Sequence, residues 1–238
     1  MFDFISNLFS LSAGEVIPTW MDFSAVVVGS MSGALIAMDK KLDLVGIIAA
    51  AMLTGLGGGL IRDTVMQVGD VYFLNSHYAI AAALFAGVTI FCFHGLFEEI
   101  PHIVEWIDIM SVALFVVCGT EKALTYNLSS IACVFMGTIT GVGGGMLRDS
   151  MTGDIPRIFR KSNFYAICAV VGAIVYTIAG RYFGINRTWV VILCFVTVVG
   201  LRRLSLRYNW QSPAGVDWSD HVTKPYHKVK SLSKSKRD

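Results

Sequence analysis

Gly55-Leu-Gly-Gly-Gly-Leu-Ile-Arg-Asp63 recurs as Gly141-Val-Gly-Gly-Gly-Met-Leu-Arg-Asp149, and each copy lies in the middle of a long apolar run. An interior glycine costs a helix about 0.8–1 kcal/mol against alanine, so four clustered glycines forfeit roughly 3–4 kcal/mol of propensity. The chain does this twice. Interrupted spans at corresponding positions of repeated halves point to a solute or ion pathway near the bilayer midplane.

Composition agrees with a membrane environment. Hydrophobic residues make up 55% of the 238, charged residues 15%, outside the soluble globular range. Crossing a hydrocarbon core near 30 Å thick takes about 20 apolar residues. Seven candidate spans are predicted: Trp20–Met38, Leu44–Met66, His77–Phe97, Trp106–Leu124, Leu128–Met151, Phe164–Phe183 and Thr188–Leu204. The expected fold is an all-α integral membrane protein. Residues 1–19 read as an extracytoplasmic segment without the basic start of a cleaved signal peptide. Residues 205–238 read as a polar cytoplasmic tail, solvated or attracted to anionic lipid.

Lys and Arg accumulate on the cytoplasmic side of short loops. Lys40, Lys41, Arg157, Arg160, Lys161, Arg202, Arg203 and Arg207 fall on one side, and Lys122, Arg181 and Arg187 on the other. The chain is therefore expected to start outside and end in the cytoplasm, in an inner (plasma) membrane.

Sliding the chain against itself by the motif offset superposes Trp20 on Trp106, Asp22 on Asp108, Gly33 on Gly119, Ala37 on Ala123, Leu42 on Leu128 and Thr54 on Thr140. The duplicated unit is three helices, residues 20–97 and 98–184, with a seventh helix at 188–204 outside the repeat. An odd number of spans per unit inverts the second copy, so the halves are expected to be related by a two-fold axis in the membrane plane.

The glycine segments lie about a dozen residues into their helices, near mid-bilayer at 1.5 Å per residue. Two readings compete. A helix loosened by glycine frees backbone carbonyls, which at membrane depth must face protein or a wet cavity and can serve as cation ligands. Alternatively, small residues four apart let helices pack closely. Packing is the simpler account of Gly29 and Gly33. The pathway reading is the stronger for Gly57, Gly58, Gly59, Gly143, Gly144 and Gly145, because a packing seam does not require three adjacent glycines.

Arg62, Asp63, Arg148 and Asp149 follow on the same helices. Neighbours in sequence point about 100° apart on a helix, so partners across helices are expected for each pair, and both arginines lie far enough from the midplane to snorkel. Cross-linking the fold and shaping a pore mouth remain alternative roles. Glu121 and Lys122, in the fourth span, align with Leu35 and Ile36 in the first. This asymmetric charge pair is a gating candidate, with an interfacial lysine anchor as the alternative.

Other chemistries lack residues. The glycine motif has no Gly-Lys-Ser/Thr to make a phosphate loop. Cys92, Cys118, Cys133, Cys168 and Cys194 are isolated within spans, without spacing for a disulfide framework or zinc, and read as small core residues. His77, His94 and His102 have no clustered partner. No catalytic constellation, cofactor, resident metal or nucleic-acid partner is expected.

The doubled Gly-x-Gly-Gly-Gly-x-x-Arg-Asp motif, the three-plus-three-plus-one span pattern and the segment Gly119-Thr-Glu-Lys-Ala-Leu124 resemble the prokaryotic branch of the trimeric intracellular cation channel family. Bacterial members are also catalogued as glycine transporters. The resemblance implies a homotrimer in membrane lipid, each protomer enclosing its own hourglass-shaped pore for monovalent cations, mainly potassium. Kinked second and fifth helices would line that pore, with the glycine motifs falling on Gly57–Gly59 and Gly143–Gly145. A secondary transporter of a small zwitterion such as glycine is the alternative. A fourth-helix lysine is implicated in the voltage response of animal members, and Lys122 matches it. Animal members carry a basic phosphoinositide-binding loop after the second helix. Here that loop reads Gln67-Val-Gly-Asp70, which departs from the pattern.

Overall fold

The structure is a computed structural model that describes residues 19–210, apart from residues 69, 99, 101 and 161–163. The expectations for the first residues and for most of the C-terminal tail lie outside the described residues.

Among the described residues the regular structure is helical: α1 Thr19–Asp39, α2 Leu44–Met66, α3 Tyr72–Asn75, α4 His77–Glu98, α5 Ile103–Thr125, α6 Ser130–Met151, α7 Ala166–Arg181 and α8 Arg187–Arg207. Six of these are long and apolar enough to cross a membrane, and α7, at 16 residues, is a shorter apolar helix. The sequence boundaries for the sixth span were too wide by two residues at each end. The four-residue α3 was not foreseen, since one helical turn leaves no periodicity to read.

The duplication reaches the turns. Leu42 N–H donates to Ala37 O at 3.2 Å and Leu128 N–H to Ala123 O at 3.1 Å. Lys41 (φ 58°) and Asn127 (φ 55°) occupy the left-handed region in these two turns. This is the six-to-one hydrogen bond that commonly closes a helix C-terminus. The next helix is then capped in both halves by a side-chain oxygen: Asp43 Oδ1 accepts from Gly46 N–H at 2.8 Å, and Ser129 Oγ from Ala132 N–H at 3.3 Å.

At the centre α2 crosses α6 on their glycines. A Cβ on Gly58 would lie 2.5 Å from Thr140 O, and one on Gly144 would lie 2.2 Å from Thr54 O. Leu147 Cδ1 would sit 2.8 Å from a Cβ on Gly57, and Ile61 Cδ1 2.8 Å from one on Gly143. These contacts are reciprocal, as across a two-fold axis. They also run in opposite directions, since residues 54 and 58 face 144 and 140 in turn. The two helices are antiparallel, with each half's isoleucine or leucine seated on the other half's glycine.

Both glycine helices run unbroken. The expectation of a kink there is corrected: the departure from helical angles inside a long helix is at Phe93 of α4 (φ −117°, ψ 23°). The close backbone approach replaces the side-chain packing that the glycines forgo, so each helix keeps its internal hydrogen bonds. Gly33 packs the same way, its Cβ position 2.4 Å from Ala50 O, as the packing reading held.

The last described helix breaks the symmetry. α8 lies on α5 and α7, with Val190, Cys194 and Val198 buried; Val198 Cγ2 occupies the space a Cβ on Gly172 would need, and Cys194 Sγ donates to Gly172 O at 3.3 Å. The corresponding face of the first half, between α1 and α4, is an open apolar groove of about 550 Å³ lined by Phe23, Val27, Met31, Tyr78 and Phe85 among others. Four cysteines are buried, as small core residues should be, whereas Cys92 is exposed.

Candidate functional site

Arg62 and Arg148 stand four residues beyond Gly58 and Gly144 on antiparallel helices. They therefore flank the crossing at about 6 Å on either side, and each organises a charged cluster. Both guanidinium groups are buried, at 1% and 0% exposure, so neither arginine snorkels.

In the first cluster Arg62 does close on its own neighbour, against the expectation from helical azimuth. Nε and Nη2 donate to Asp63 Oδ1 and Oδ2 at 2.7 and 3.2 Å. The long aliphatic stem curls the planar head back over the adjacent carboxylate, which it meets with two parallel bonds. Nη1 reaches across to Asp22 Oδ1 of α1 at 2.8 Å. Lys122 Nζ of α5 donates to Asp63 Oδ1 at 2.7 Å, and Tyr72 N–H, from the chain just past α2, to Asp63 Oδ2 at 3.0 Å. Two carboxylates thus meet two cations. A buried charge left unpaired costs several kcal/mol, which is why the cluster balances.

The second cluster repeats the plan. Arg148 Nε and Nη2 donate to Asp149 Oδ1 at 3.0 and 2.8 Å. Arg157, in the α6–α7 loop, donates its backbone N–H to Asp149 Oδ2 at 3.2 Å, as Tyr72 does to Asp63. Its Nη1 donates to Asp108 Oδ2 of α5 at 2.8 Å, and the Asp108 carboxylate holds the Arg157 pKa above its usual value. Ser32 Oγ of α1 donates to Asp108 Oδ1 at 3.1 Å. In both repeats the motif aspartate holds the neighbouring guanidinium and also accepts, through Oδ2, a backbone N–H from the segment that follows; Asp149 divides the two tasks between its oxygens, whereas both Asp63 oxygens meet Arg62.

The two clusters differ in the reach of the motif arginine across to α1 or α5. Arg62 Nη1 is bonded to Asp22, but its counterpart, Arg148 Nη1, lies 3.8 Å from Asp108 Oδ1 and is a buried donor without a hydrogen bond.

Glu121 and Lys122 do not pair with each other. Lys122 points to Asp63 and is buried, which removes the interfacial-anchor reading. Glu121 accepts from Tyr176 Oη and is ion-paired with Arg187, at the wall of a cavity of about 380 Å³ between α5, α7 and α8. Of the glycines, Gly59 has open space where a Cβ would lie, and the corresponding position on Gly145 faces Tyr165 Oη at 3.2 Å.

The basic loop residues sort to two ends of the molecule. Lys40 donates to Thr152 Oγ1 at 2.7 Å and pairs with Asp154, and Arg203 pairs with Glu105 at the start of α5. Arg181 donates to Leu128 O at the opposite end. The Lys40–Asp154 pair holds the Asp154 pKa below the usual 3.8.

Sequence reasoning missed Asp22, Asp108, Arg157, Tyr176 and Arg187 as site residues. The self-alignment had already placed Asp22 on Asp108, and a carboxylate within an apolar span is a functional candidate by default. Arg157 and Arg187 looked like loop cations, useful only for orientation. Among the described residues no group of three or more His, Cys, Asp or Glu side chains could hold a metal ion.

An antiparallel duplicated bundle of apolar helices, with a small-residue crossing flanked by balanced charge clusters, defines a multi-pass membrane protein of the solute- or ion-conducting class. A family model described as "Glycine transporter" matches the chain twice, over residues 19–94 and 105–181, one match to each half. The inner membrane protein YadS of Escherichia coli K12, of the UPF0126 group, is 29% identical over 82% of this chain and 94% of its own. A UPF0126 membrane protein of Deinococcus radiodurans is 32% identical over 65% of this chain and 72% of its own. Among solved structures, the trimeric intracellular cation channel orthologue from Rhodobacter sphaeroides superposes with a TM-score of 0.74 at 28% identity, covering 80% of this chain and 97% of that one. A TRIC cation channel solved to explain conductance gives 0.73 at 29% identity, over 83% and 96%. The chain belongs to this family, as a prokaryotic member of the trimeric intracellular cation channels.

Proposed function

We propose that the protein is a homotrimeric, potassium-permeable channel of the inner membrane, with one pore per protomer along the α2–α6 crossing and both repeats inserted in opposite orientations. The observation that carries this reading is the pairing of channel-like folds over almost the whole of two solved relatives with a crossing whose open side is small. Gly57, Gly58, Gly59, Gly143, Gly144 and Gly145 form the waist. At Gly58 and Gly144 backbone lies against backbone, which suits a closed constriction, while Gly59 leaves room beside it and Gly145 faces the Tyr165 hydroxyl. The Arg62–Asp63 and Arg148–Asp149 clusters serve as the outer and inner mouths. They lie within the bilayer depth and offer carboxylate and carbonyl oxygens to a monovalent cation that sheds part of its hydration.

Lys122 is the voltage-responsive candidate, because its ammonium binds the motif aspartate of the other repeat. One charge moved through the whole field is worth about 2.3 kcal/mol per 100 mV. Lys122→Gln should flatten the dependence of open probability on voltage and spare selectivity, and Lys122→Arg should retain most of it.

Single-channel recording of the purified protein in planar bilayers tests the reading. Discrete potassium currents support a channel. Saturable glycine counterflow without unitary steps supports the alternative, a secondary transporter, which the description of the matching family favours.

A further inference from the structure

We infer that Arg157 is a second gating residue, the inner counterpart of Lys122, and that the Asp108 carboxylate has two seats, one on Arg157 and one on Arg148. This rests on the channel reading. The two residues do not align in the repeat, yet each is the fourth charge of its cluster. Lys122 completes Asp22, Arg62 and Asp63; Arg157 completes Asp108, Arg148 and Asp149.

The second seat is visible as the buried, unbonded Arg148 Nη1, 3.8 Å from Asp108 Oδ1. In the first repeat the same guanidinium atom bonds the same carboxylate at 2.8 Å. A shift of Asp108 of about 1 Å would bring Nη1 within ordinary hydrogen-bond distance. A buried donor without a partner is a standing cost, and here it is tolerated because Asp108 is held elsewhere, by Ser32 Oγ and by Arg157 Nη1.

The competing cation comes from a loop. The Arg157 side chain is 34% exposed, so water can replace Asp108 at little cost to it, whereas Arg148 is closed to water. The same loop bonds Asp149 through Arg157 N–H and is tied to the α1–α2 turn through Lys40, Thr152 and Asp154. When Asp108 moves to Arg148, the loop loses the Arg157–Asp108 contact beside the inner end of the crossing. Ser32 transmits the shift to α1 of the other repeat. Because α2 and α6 meet backbone to backbone at Gly58 and Gly144, which the channel reading takes as a closed waist, the Arg157 seat is the closed-state seat.

The full-length protein is reconstituted in planar bilayers, and open probability is compared for the parent, Arg157→Gln, Arg157→Lys and Ser32→Ala. Arg157→Gln should raise open probability about tenfold, and Arg157→Lys should stay near the parent. Ser32→Ala, which removes no charge, should raise it severalfold and carries the test if Arg157→Gln does not assemble. Hydrogen exchange of residues 152–160 should quicken in Arg157→Gln while that of residues 70–76 stays as in the parent. A conducting parent with unchanged Arg157→Gln and Ser32→Ala overturns the two-seat gate and leaves the channel reading standing. Equal effects of Gln and Lys at 157 overturn the gate as well, since they would show that charge is not what is sensed. A parent without unitary potassium currents overturns the channel reading and the gate together.

Discussion

Gly144→Ala is the most exacting test of the crossing. The added Cβ would lie 2.2 Å from Thr54 O, with Thr54 C at 3.1 Å and Cα at 3.4 Å. Carbon–oxygen contacts settle near 3.3–3.6 Å, so α2 and α6 would have to part by about 1 Å. The obstacle is the backbone of a helix, and no rotamer change relieves it. Parting the helices also withdraws Leu147 from Gly57 and Ile61 from Gly143. Overpacking of this kind costs about 1–3 kcal/mol, and alanine returns about 0.8–1 kcal/mol in helix propensity, leaving a net loss of up to about 2 kcal/mol. Gly59→Ala is the matched control. A Cβ there meets nothing within 4 Å, so only the propensity gain remains. The two substitutions, one per motif, should differ by the overpacking cost of about 1–3 kcal/mol, or roughly 2–12 °C in Tm for a chain of this size. Thermal unfolding in detergent, followed by circular dichroism, measures it. Equal melting of the two variants, or a Gly144→Ala protein more stable than the parent, would refute the close crossing. A bulkier residue at Gly58 or Gly144 should then weaken assembly as well as flux.

Asp63→Asn should cost about 3–5 kcal/mol, because it strips Arg62 and Lys122 of their shared carboxylate in a buried site; Lys122→Met should cost less, as Asp63 keeps Arg62 and the Tyr72 amide, and denaturant titration in mixed micelles ranks the two. The Lys40–Asp154 latch gives a pH signature. Because the folded Asp154 pKa is lowered, its contribution is complete above the unfolded value and is lost as pH falls through the folded one, so a Lys40→Gln protein should lack that acid-side component of a stability–pH profile. Cysteine labels at Asn75 or Asn186 should react from outside intact cells, and labels at Glu99, Lys161 or Ser233 only once the cytoplasm is opened. Opposite behaviour of Glu99 and Lys161 would break the inverted repeat.

Much of the fold was legible because apolar length and internal similarity are properties of the chain itself. The spans followed from hydropathy, and the second half could be read off the first through Asp22 and Asp108, Gly33 and Gly119, Leu42 and Leu128. The site was legible only in part. The glycines and the Arg-Asp pairs announced themselves by recurring, but their geometry depends on what crosses them. An unbroken helix with three glycines is stable only when another backbone comes to meet it, and Thr140 and Thr54 carry no sign of that in sequence. Arg62 bonding Asp63 was hidden for a related reason. Azimuth describes where a side chain leaves the helix, not where a four-bond stem ends. Arg157 lies in a loop and Arg187 at the first position of α8, both placed by tertiary packing, so nothing local marks them as partners of Asp108 and Glu121.

The reciprocal contact of Gly57 with Leu147 and of Gly143 with Ile61 makes each three-helix unit complementary to an upside-down copy of itself. A polypeptide of one such unit, translated alone, would expose a glycine seam and an aspartate–arginine cluster to lipid. It could bury them only against a sister molecule inserted in the opposite sense. Such a unit is served by a near-even distribution of flanking lysines and arginines, so that the translocation machinery delivers both orientations. Fusing two units through an even number of turns would instead have aligned them, and the seam would never have closed. The basic residues that now separate the two ends of this chain are thus free to diverge, because the covalent link enforces by connectivity what an unlinked pair would have had to achieve by indecision.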